Sequence, residues 1–269
     1  MLAALFKYEF LQNALFAGLL AAVICGIIGV VTTQKRLVMM TGGIAHTAWG
    51  GVGLGFLLSI EPILTAALFA VISAVIIGAI RRKGHIHSDI IIALLWSFGM
   101  ALGILFTSVM PSYPPDMNSY LFGNILSVTK SDLYIMTALT AAVVLLFVIF
   151  FNDWKSYLFD SAFAKVSGSK TALLEYLLLI LTALSIVVLI QVVGIILSLA
   201  LLSAPAATAS LVTKNLKQRI IAATLFAALF CTVGLVISYN LSIPSGAAIV
   251  FVCVLFYFVF LLFKKLLRR

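Results

Sequence analysis

A histidine inside an apolar, glycine-rich stretch is the first residue of this sequence that could do chemistry. His46 lies in TGGIAHTAWGGVGLGFLL, and in a helix Gly42, Gly50 and Gly53 share its face. A neutral imidazole binds first-row metal ions, and an ionisable group within a hydrophobic segment is costly to keep. Glycines on that face let a neighbouring backbone approach and leave room around the ring. The residues leave two interpretations equally open: a metal ligand, or a histidine that donates one hydrogen bond in helix packing.

The other groups that could bind a metal are weaker candidates. His85, His87 and Asp89 form an H-x-H-x-D cluster, but it follows Arg81-Arg82-Lys83, whose charges repel a divalent cation. The cysteines form no C-x-x-C pair and all lie in apolar runs, so we interpret them as packing residues: Cys25, Cys231 and Cys253.

Signatures of common enzymes are missing from the sequence. It contains no G-x-x-x-x-G-K-[ST] phosphate loop, no H-E-x-x-H and no G-x-S-x-G. Paired nucleophile and base groups cannot be assembled within the apolar segments either. We therefore expect a protein that is not itself an enzyme and that holds no permanent cofactor.

Composition determines the kind of element that must position His46. Of the 269 residues, 64% are hydrophobic and 9% are charged, and the mean hydropathy is +1.26. So few charges cannot cover a water-exposed surface, which excludes a soluble fold and a nucleic-acid-binding domain. At about 20 residues per crossing, the sequence predicts an all-α polytopic transmembrane bundle of eight or nine spans. Residues 1–269 are predicted to form one transmembrane domain.

Charges, prolines and polar clusters delimit the predicted spans. The run from 173 to 212 is too long for one crossing, so we expect it to break near Gln191 to Gly194. Pro205 within it removes one helical hydrogen bond and predicts a kink. The predicted spans are 14–33, 43–60, 63–80, 89–110, 133–151, the two parts of 173–212, 220–238 and 243–263.

The basic residues predict the orientation of the chain. With nine spans and the N-terminus outside, every lysine and arginine except Lys7 and Lys130 falls on the cytoplasmic side. Such a bias is the usual determinant of orientation in membrane proteins. We therefore expect the C-terminus in the cytoplasm.

Six segments, taken in order, resemble the membrane subunits of bacterial zinc, manganese and iron ABC importers. Their order along the chain makes the resemblance specific, and it extends over almost the whole sequence. The segments are TGGIAHTAWGGVGLG, DIIIALLWSFGMALGILF, PPDMNSYLFGNIL, FDSAFAKVSG, GIILSLALLSAPAATA and SYNLSIPSGAAIV.

This resemblance implies a permease subunit of the bacterial cell membrane that imports a divalent metal. It implies a homodimer in the lipid bilayer, two copies of a separate cytoplasmic ATPase, and an extracytoplasmic metal-binding protein that docks near 113–120. The segment FDSAFAKVSG is similar to the one that docks into the ATPase, with Asp160, Ala164 and Gly168 at its recurrent positions. The resemblance also favours a place for His46 on the ion path.

Two departures from the family bear on the metal. Many relatives carry an Asp at the position of Gly42 and an acidic residue at that of Ser242. Fewer hard oxygen ligands favour zinc first, and manganese or iron next. Asp116 could supply a carboxylate at the outer entry, or only cap a helix turn. The alternative class is an ion-coupled secondary transporter of a small polar solute or cation, but none of the eight acidic residues lies mid-span.

Overall fold

The structure, a computed structural model, describes residues 7–83, 88–110 and 118–267. Within these ranges the regular elements are helical and no strand is found, so the all-α prediction is confirmed. The α-helices are α1 (Glu9–Gln34), α2 (Val38–Leu58), α3 (Pro62–Lys83), α4 (Ser88–Ser108), α5 (Asn118–Phe122), α6 (Lys130–Ile149), α7 (Phe151–Phe159), α8 (Ser161–Val166), α9 (Thr171–Val212), α10 (Leu216–Leu241) and α11 (Ser245–Leu267).

Seven helices in the described residues are long and apolar enough to cross a membrane: α1, α3, α4, α6, α9, α10 and α11. The predicted count of eight or nine spans is therefore not confirmed. Two physical reasons account for the difference. Helix α2 has the length of a span, but its glycines, threonines and histidine lower its hydropathy. Helix α9 counts once although it has 42 residues.

The predicted break in the longest apolar run is confirmed. Gly194 interrupts α9 with dihedral angles of φ 81° and ψ 166°, which are far from helical values. Pro205 lies in the part of α9 beyond Gly194, where the backbone dihedral angles remain helical. The interruption of α9 therefore comes from the glycine and not from the proline.

The helices group into two compact units, each assembled from separate stretches of the chain. The first unit contains α1, α6, the part of α9 from Val192, α10 and α11. The second contains α2, α3, α4, α7, α8 and the part of α9 up to Gln191. That the whole chain forms a single transmembrane domain stays a prediction.

Close backbone contacts hold the first unit together around α1. A Cβ added at Gly26 would lie 2.8 Å from the Cα of Thr224 in α10, and one at Gly29 would overlap the carbonyl oxygen of Leu202 in α9. Aromatic rings of α10 and α11 pack on one another, with centroids 5.1 Å apart for Phe230 and Phe256. Small residues thus set the distances between these helices, and large rings fill the remaining space.

Three glycines of the first unit meet where helices begin, end or break. Gly123 (φ 68°) and Gly194 are in backbone contact, and a Cβ on either would overlap the backbone of the other segment. A Cβ added at Gly246, near the start of α11, would lie 2.5 Å from the carbonyl oxygen of Phe122. Both the positive φ angles and the lack of space require glycine at 123 and 194.

Candidate functional site

The site around His46 is built on the contact between α2 and α4 in the second unit. A Cβ added at Gly50 would lie 2.5 Å from the carbonyl oxygen of Gly99, and one at Gly53 would lie 2.8 Å from that of Gly103. The two backbones therefore approach one another as closely as small-residue faces allow. Thr47 crosses the same contact, because its hydroxyl donates to the carbonyl of Leu95 at 3.2 Å.

His46 packs against two side chains of α4. Its ring stacks on Trp96 with centroids 4.0 Å apart and an interplanar angle of 18°. Its Nδ1 lies 3.2 Å from the Sδ of Met100, and the imidazole is half-buried. Gly42 makes room for Trp96, since a Cβ there would lie 2.7 Å from that ring. The indole of Trp96 therefore fills the space that Gly42 leaves beside the imidazole of His46.

The sequence alone does not predict that Trp96 and Met100 are neighbours of His46. They lie four residues apart on one face of α4, in DIIIALLWSFGMALGILF, one of the six segments that carry the resemblance. A thioether and an imidazole are both metal ligands of the softer kind. Among the described residues, no group of three or more His, Cys, Asp or Glu side chains is placed to hold a metal ion.

Side chains that carry oxygen atoms lie elsewhere in the second unit, around a cavity of about 10 Å³. Glu61 lines it together with Tyr120 and Gln191, and the remaining walls are apolar. This volume suits roughly one water molecule or ion. Glu61 follows the end of α2, and His46 lies twelve residues before that end, about 18 Å along the helix at 1.5 Å per residue. Glu61 and His46 therefore cannot bind the same ion. From the sequence alone, Glu61 only marks the end of a predicted span.

Several sequence-predicted ligands fall outside the described residues. Asp116, the candidate at the outer entry, is one of them, and so are His85 and His87 of the H-x-H-x-D cluster. Asp89 of that cluster lies in the first turn of α4. The roles of these residues stay predictions.

The segment FDSAFAKVSG folds into the end of α7, all of α8 and the turn after it. Asp160 caps the N-terminus of α8, where its carboxylate accepts hydrogen bonds from the backbone N–H groups of Ala162 and Phe163 at 2.9 and 3.0 Å. Ala164 is fully buried, and Gly168 adopts φ 87° with open space around its Cα. The three recurrent positions thus cap, anchor and terminate one short helix.

Large apolar side chains on this segment point into the surroundings. Phe159 and Phe163 are each 65% exposed and Val166 is 88% exposed. Lys165 lies beside them, and the helix is too short and too polar to enter the bilayer. Exposed apolar side chains on a helix that does not span the membrane are typical of an interaction surface.

A cluster of charges lies close to this segment in the same unit. Glu175 in the first turns of α9 faces two guanidinium groups of α3, at 3.7 Å for Arg81 and 3.4 Å for Arg82. Tyr157 of α7 is buried beside them. Burial, and secondarily the charge of Glu175, raises the pKa of Tyr157 to about 12. The ion pairs join the end of α3 to the start of α9, beside α7, whose last residue belongs to the segment FDSAFAKVSG.

The model of the ABC 3 transport family matches residues 7–264, which is nearly the whole chain. The chain belongs to the ABC 3 transport family. It is therefore a permease subunit of the ABC type and a multi-pass protein of the bacterial cell membrane, as the sequence predicted.

Relatives and solved structures agree with this assignment. The chain is 34% identical to the manganese transport system membrane protein MntC of Listeria monocytogenes, over 97% of this chain and 93% of MntC. It is 35% identical to the manganese import system permease protein ScaB of Streptococcus gordonii, over 95% and 91%. The solved structure of PsaBC from Streptococcus pneumoniae with a Fab superposes with a TM-score of 0.86 at 34% identity, covering 96% of this chain and 93% of that one.

These names do not support zinc as the first choice of metal, since both permeases are named for manganese. The preference for zinc rests on Gly42 and Ser242, which stand where many relatives carry acidic residues. Those two positions do not describe all the oxygen-bearing side chains, because Glu61, Tyr120 and Gln191 line one cavity only in the folded chain.

Proposed function

We propose that this protein is the membrane-spanning subunit of an importer that moves manganese into the cytoplasm, driven by a separate ATPase. The observation that carries the proposal is the identity of about one third with two manganese permeases over more than nine tenths of the chain. Manganese prefers carboxylate, carbonyl and water oxygens, and the cavity at Glu61 offers ligands of this kind.

The proposed topology has nine spans, with the N-terminus outside and the C-terminus in the cytoplasm. It counts α2 as a span and divides α9 at Gly194. Support comes from contacts between ends that this topology places on one side. Glu9 and Lys130, both assigned outside, form an ion pair of 2.5 Å. Arg219 and Gln34, both assigned inside, share a hydrogen bond of 3.2 Å.

The proposed partners are a second copy of the chain, two ATPase subunits and an extracytoplasmic metal-binding protein. The exposed apolar face of Phe159, Phe163 and Val166 supports ATPase docking, because it lies on the side that the basic residues assign to the cytoplasm. The ion pairs of Glu175 join α3 to α9 beside Tyr157 of α7, the helix that ends in the same segment, and we propose this as the route from the ATPase to the spans.

In the proposed path, His46 is a ligand inside the membrane and Glu61 is an oxygen ligand nearer the outside. The Sδ of Met100 contacts the Nδ1 of His46, and this contact orients the imidazole. A ligand that must release its ion benefits from having few partners, and no group of three His, Cys, Asp or Glu side chains includes His46 in the part of the chain that the structure describes. The two sites would act one after the other, since they lie too far apart for one ion.

The test is uptake of radioactive manganese by cells that lack their own importer and express this chain with an ABC ATPase and an extracytoplasmic metal-binding protein. Wild type should take up manganese while ATP is present, and excess zinc should compete weakly. His46→Ala and His46→Gln should both reduce uptake steeply, because glutamine keeps a hydrogen bond but is a poor metal ligand.

Near-normal uptake by His46→Gln would assign His46 to helix packing instead. Uptake that persists without ATP and follows an ion gradient would show that the protein is a secondary transporter and not an ABC importer subunit. Transport of zinc but not manganese by the wild type would refute the choice of metal.

A further inference from the structure

A groove in the first unit has a composition that the transport path does not explain. It lies between α1, α6 and α10 and has a volume of about 440 Å³. Ile27 of α1 is buried at its base, while Val148 of α6 and Ile221 of α10 are exposed at its rim. A volume of this size is typical of sites for small molecules.

The lining of the groove is apolar except for one cation. Lys217 in the first turn of α10 lines it, and the other lining side chains are aliphatic or aromatic. Lys217 is exposed, and within the described residues it forms no ion pair. One unneutralised charge at the edge of a hydrocarbon-like groove fits an amphipathic ligand with an anionic group.

The position of Lys217 along the chain places the charged end of the groove at a membrane surface. Three basic residues lie between the end of α9 and the first turn of α10: Lys214, Lys217 and Arg219. Arg219 also forms a hydrogen bond to Gln34 at the end of α1. In the proposed orientation this surface is the cytoplasmic one. Anionic lipid head groups lie at that depth, and their acyl chains extend along the spans.

We propose that this groove binds one anionic phospholipid of the cytoplasmic leaflet, with an acyl chain between α6 and α10 and the phosphate at Lys217. Apolar walls disfavour water in the groove, so hydrocarbon replaces it at no cost in hydrogen bonds. The single cation makes the site discriminate between head groups. This inference rests on the proposed orientation, but it requires neither metal nor ATPase.

The experiment compares phosphatidylglycerol with phosphatidylcholine of identical acyl chains, bound to the purified full-length permease in native mass spectrometry. Wild type should retain phosphatidylglycerol in preference to phosphatidylcholine. Lys217→Gln should reduce that preference about fivefold, the change expected for one basic residue near a lipid surface. The matched control is Lys265→Gln, which removes an exposed charge from the same predicted side, at the end of α11, outside the groove.

A second pair of variants tests the groove itself. Ile221→Trp fills the rim and should lower the occupancy of both lipids, whereas Leu225→Trp, one turn further along α10 and 65% exposed, should not. Equal binding of the two lipids by wild type would overturn the proposal, as would equal effects of Lys217→Gln and Lys265→Gln. Disulfide cross-linking of Ile221→Cys between two copies of the chain would also overturn it, since the groove would then belong to a protein interface. Because the readout is lipid mass, failure of manganese uptake does not affect the result.

Discussion

Replacing Gly99 by alanine tests whether the close contact of α2 and α4 holds His46 in place. A Cβ at residue 99 would lie 2.7 Å from the carbonyl oxygen of His46 and 2.9 Å from the backbone nitrogen of Thr47. Ordinary van der Waals contacts begin at 3.4 Å. Since both obstacles are backbone atoms of a packed helix, no side-chain rotation relieves them, and the helices must separate by roughly 0.5–1 Å.

Two opposing effects determine how much Gly99→Ala changes the free energy of unfolding. Adding a methyl group to a well-packed contact costs about 1–3 kcal/mol, and the rigid backbone favours the upper half of that range. Alanine gains about 1 kcal/mol over glycine in helix propensity. We expect a net loss of about 1–2 kcal/mol, which lowers the unfolding temperature of the purified permease by roughly 2–8 °C. The separation also lengthens the contact between His46 and Met100, so manganese uptake should fall.

The control is Gly18→Ala in α1. A Cβ there would lie 3.3 Å from the Cβ of Cys231 and 3.7 Å from the terminal carbon of Ile125, which are side-chain atoms. This variant should be neutral, or stabilised by up to about 1 kcal/mol through helix propensity. If thermal unfolding showed Gly99→Ala to be as stable as Gly18→Ala, the close contact of α2 and α4 would not exist as described.

Three further outcomes can be measured. Val166→Asp should weaken co-purification of the ATPase, whereas Val166→Leu should preserve it, because only aspartate makes the exposed face polar. Equal co-purification of the two variants would argue against ATPase docking at the face of Phe159, Phe163 and Val166. In intact cells, a membrane-impermeant maleimide should label Ser131→Cys, which the topology places outside, but not Ser167→Cys, which it places in the cytoplasm. The three native cysteines are buried, so they should not react. Labelling of Ser167→Cys would show that the orientation is the reverse of the proposed one. Tyr157 favours its protonated form in the folded protein, so its contribution to stability is complete below pH 10 and is lost as the pH rises towards 12. Thermal unfolding should therefore show wild type losing stability relative to Tyr157→Phe across that interval, and parallel curves would contradict the burial of Tyr157.

Most of the fold could be predicted from the sequence because lipid imposes simple requirements. Backbone groups must be satisfied within each helix, so apolar runs of the right length are helices. The break near Gly194 followed from length alone, since a helix of about 40 residues is twice as long as the hydrocarbon layer is thick. The ends of α1 and α10 extend beyond the predicted spans, because helices continue past the apolar run into polar residues at the membrane surface.

The neighbours of the candidate ligands could not be predicted in the same way. Trp96 and Met100 contact His46 only because α2 packs on α4, and composition does not specify which helices are neighbours. Glu61, Tyr120 and Gln191 are separated by many residues and come together around a single cavity. Periodicity describes one helix at a time, so it gives the face on which His46 lies but not what that face meets.

The break at Gly194 also matters while the protein is being made. A ribosome delivers 171–212 to the membrane insertion machinery as one apolar stretch, with Glu175 as its single charged residue. Without an interruption, a continuous helix of these 42 residues would be about 63 Å long and could not fit across the bilayer once. Dividing it at Gly194 leaves parts of 23 and 18 residues (171–193 and 195–212), and each has the length of a crossing. We therefore expect this one residue without a side chain to influence how the nascent segment enters lipid, before any contact with Gly123 has formed.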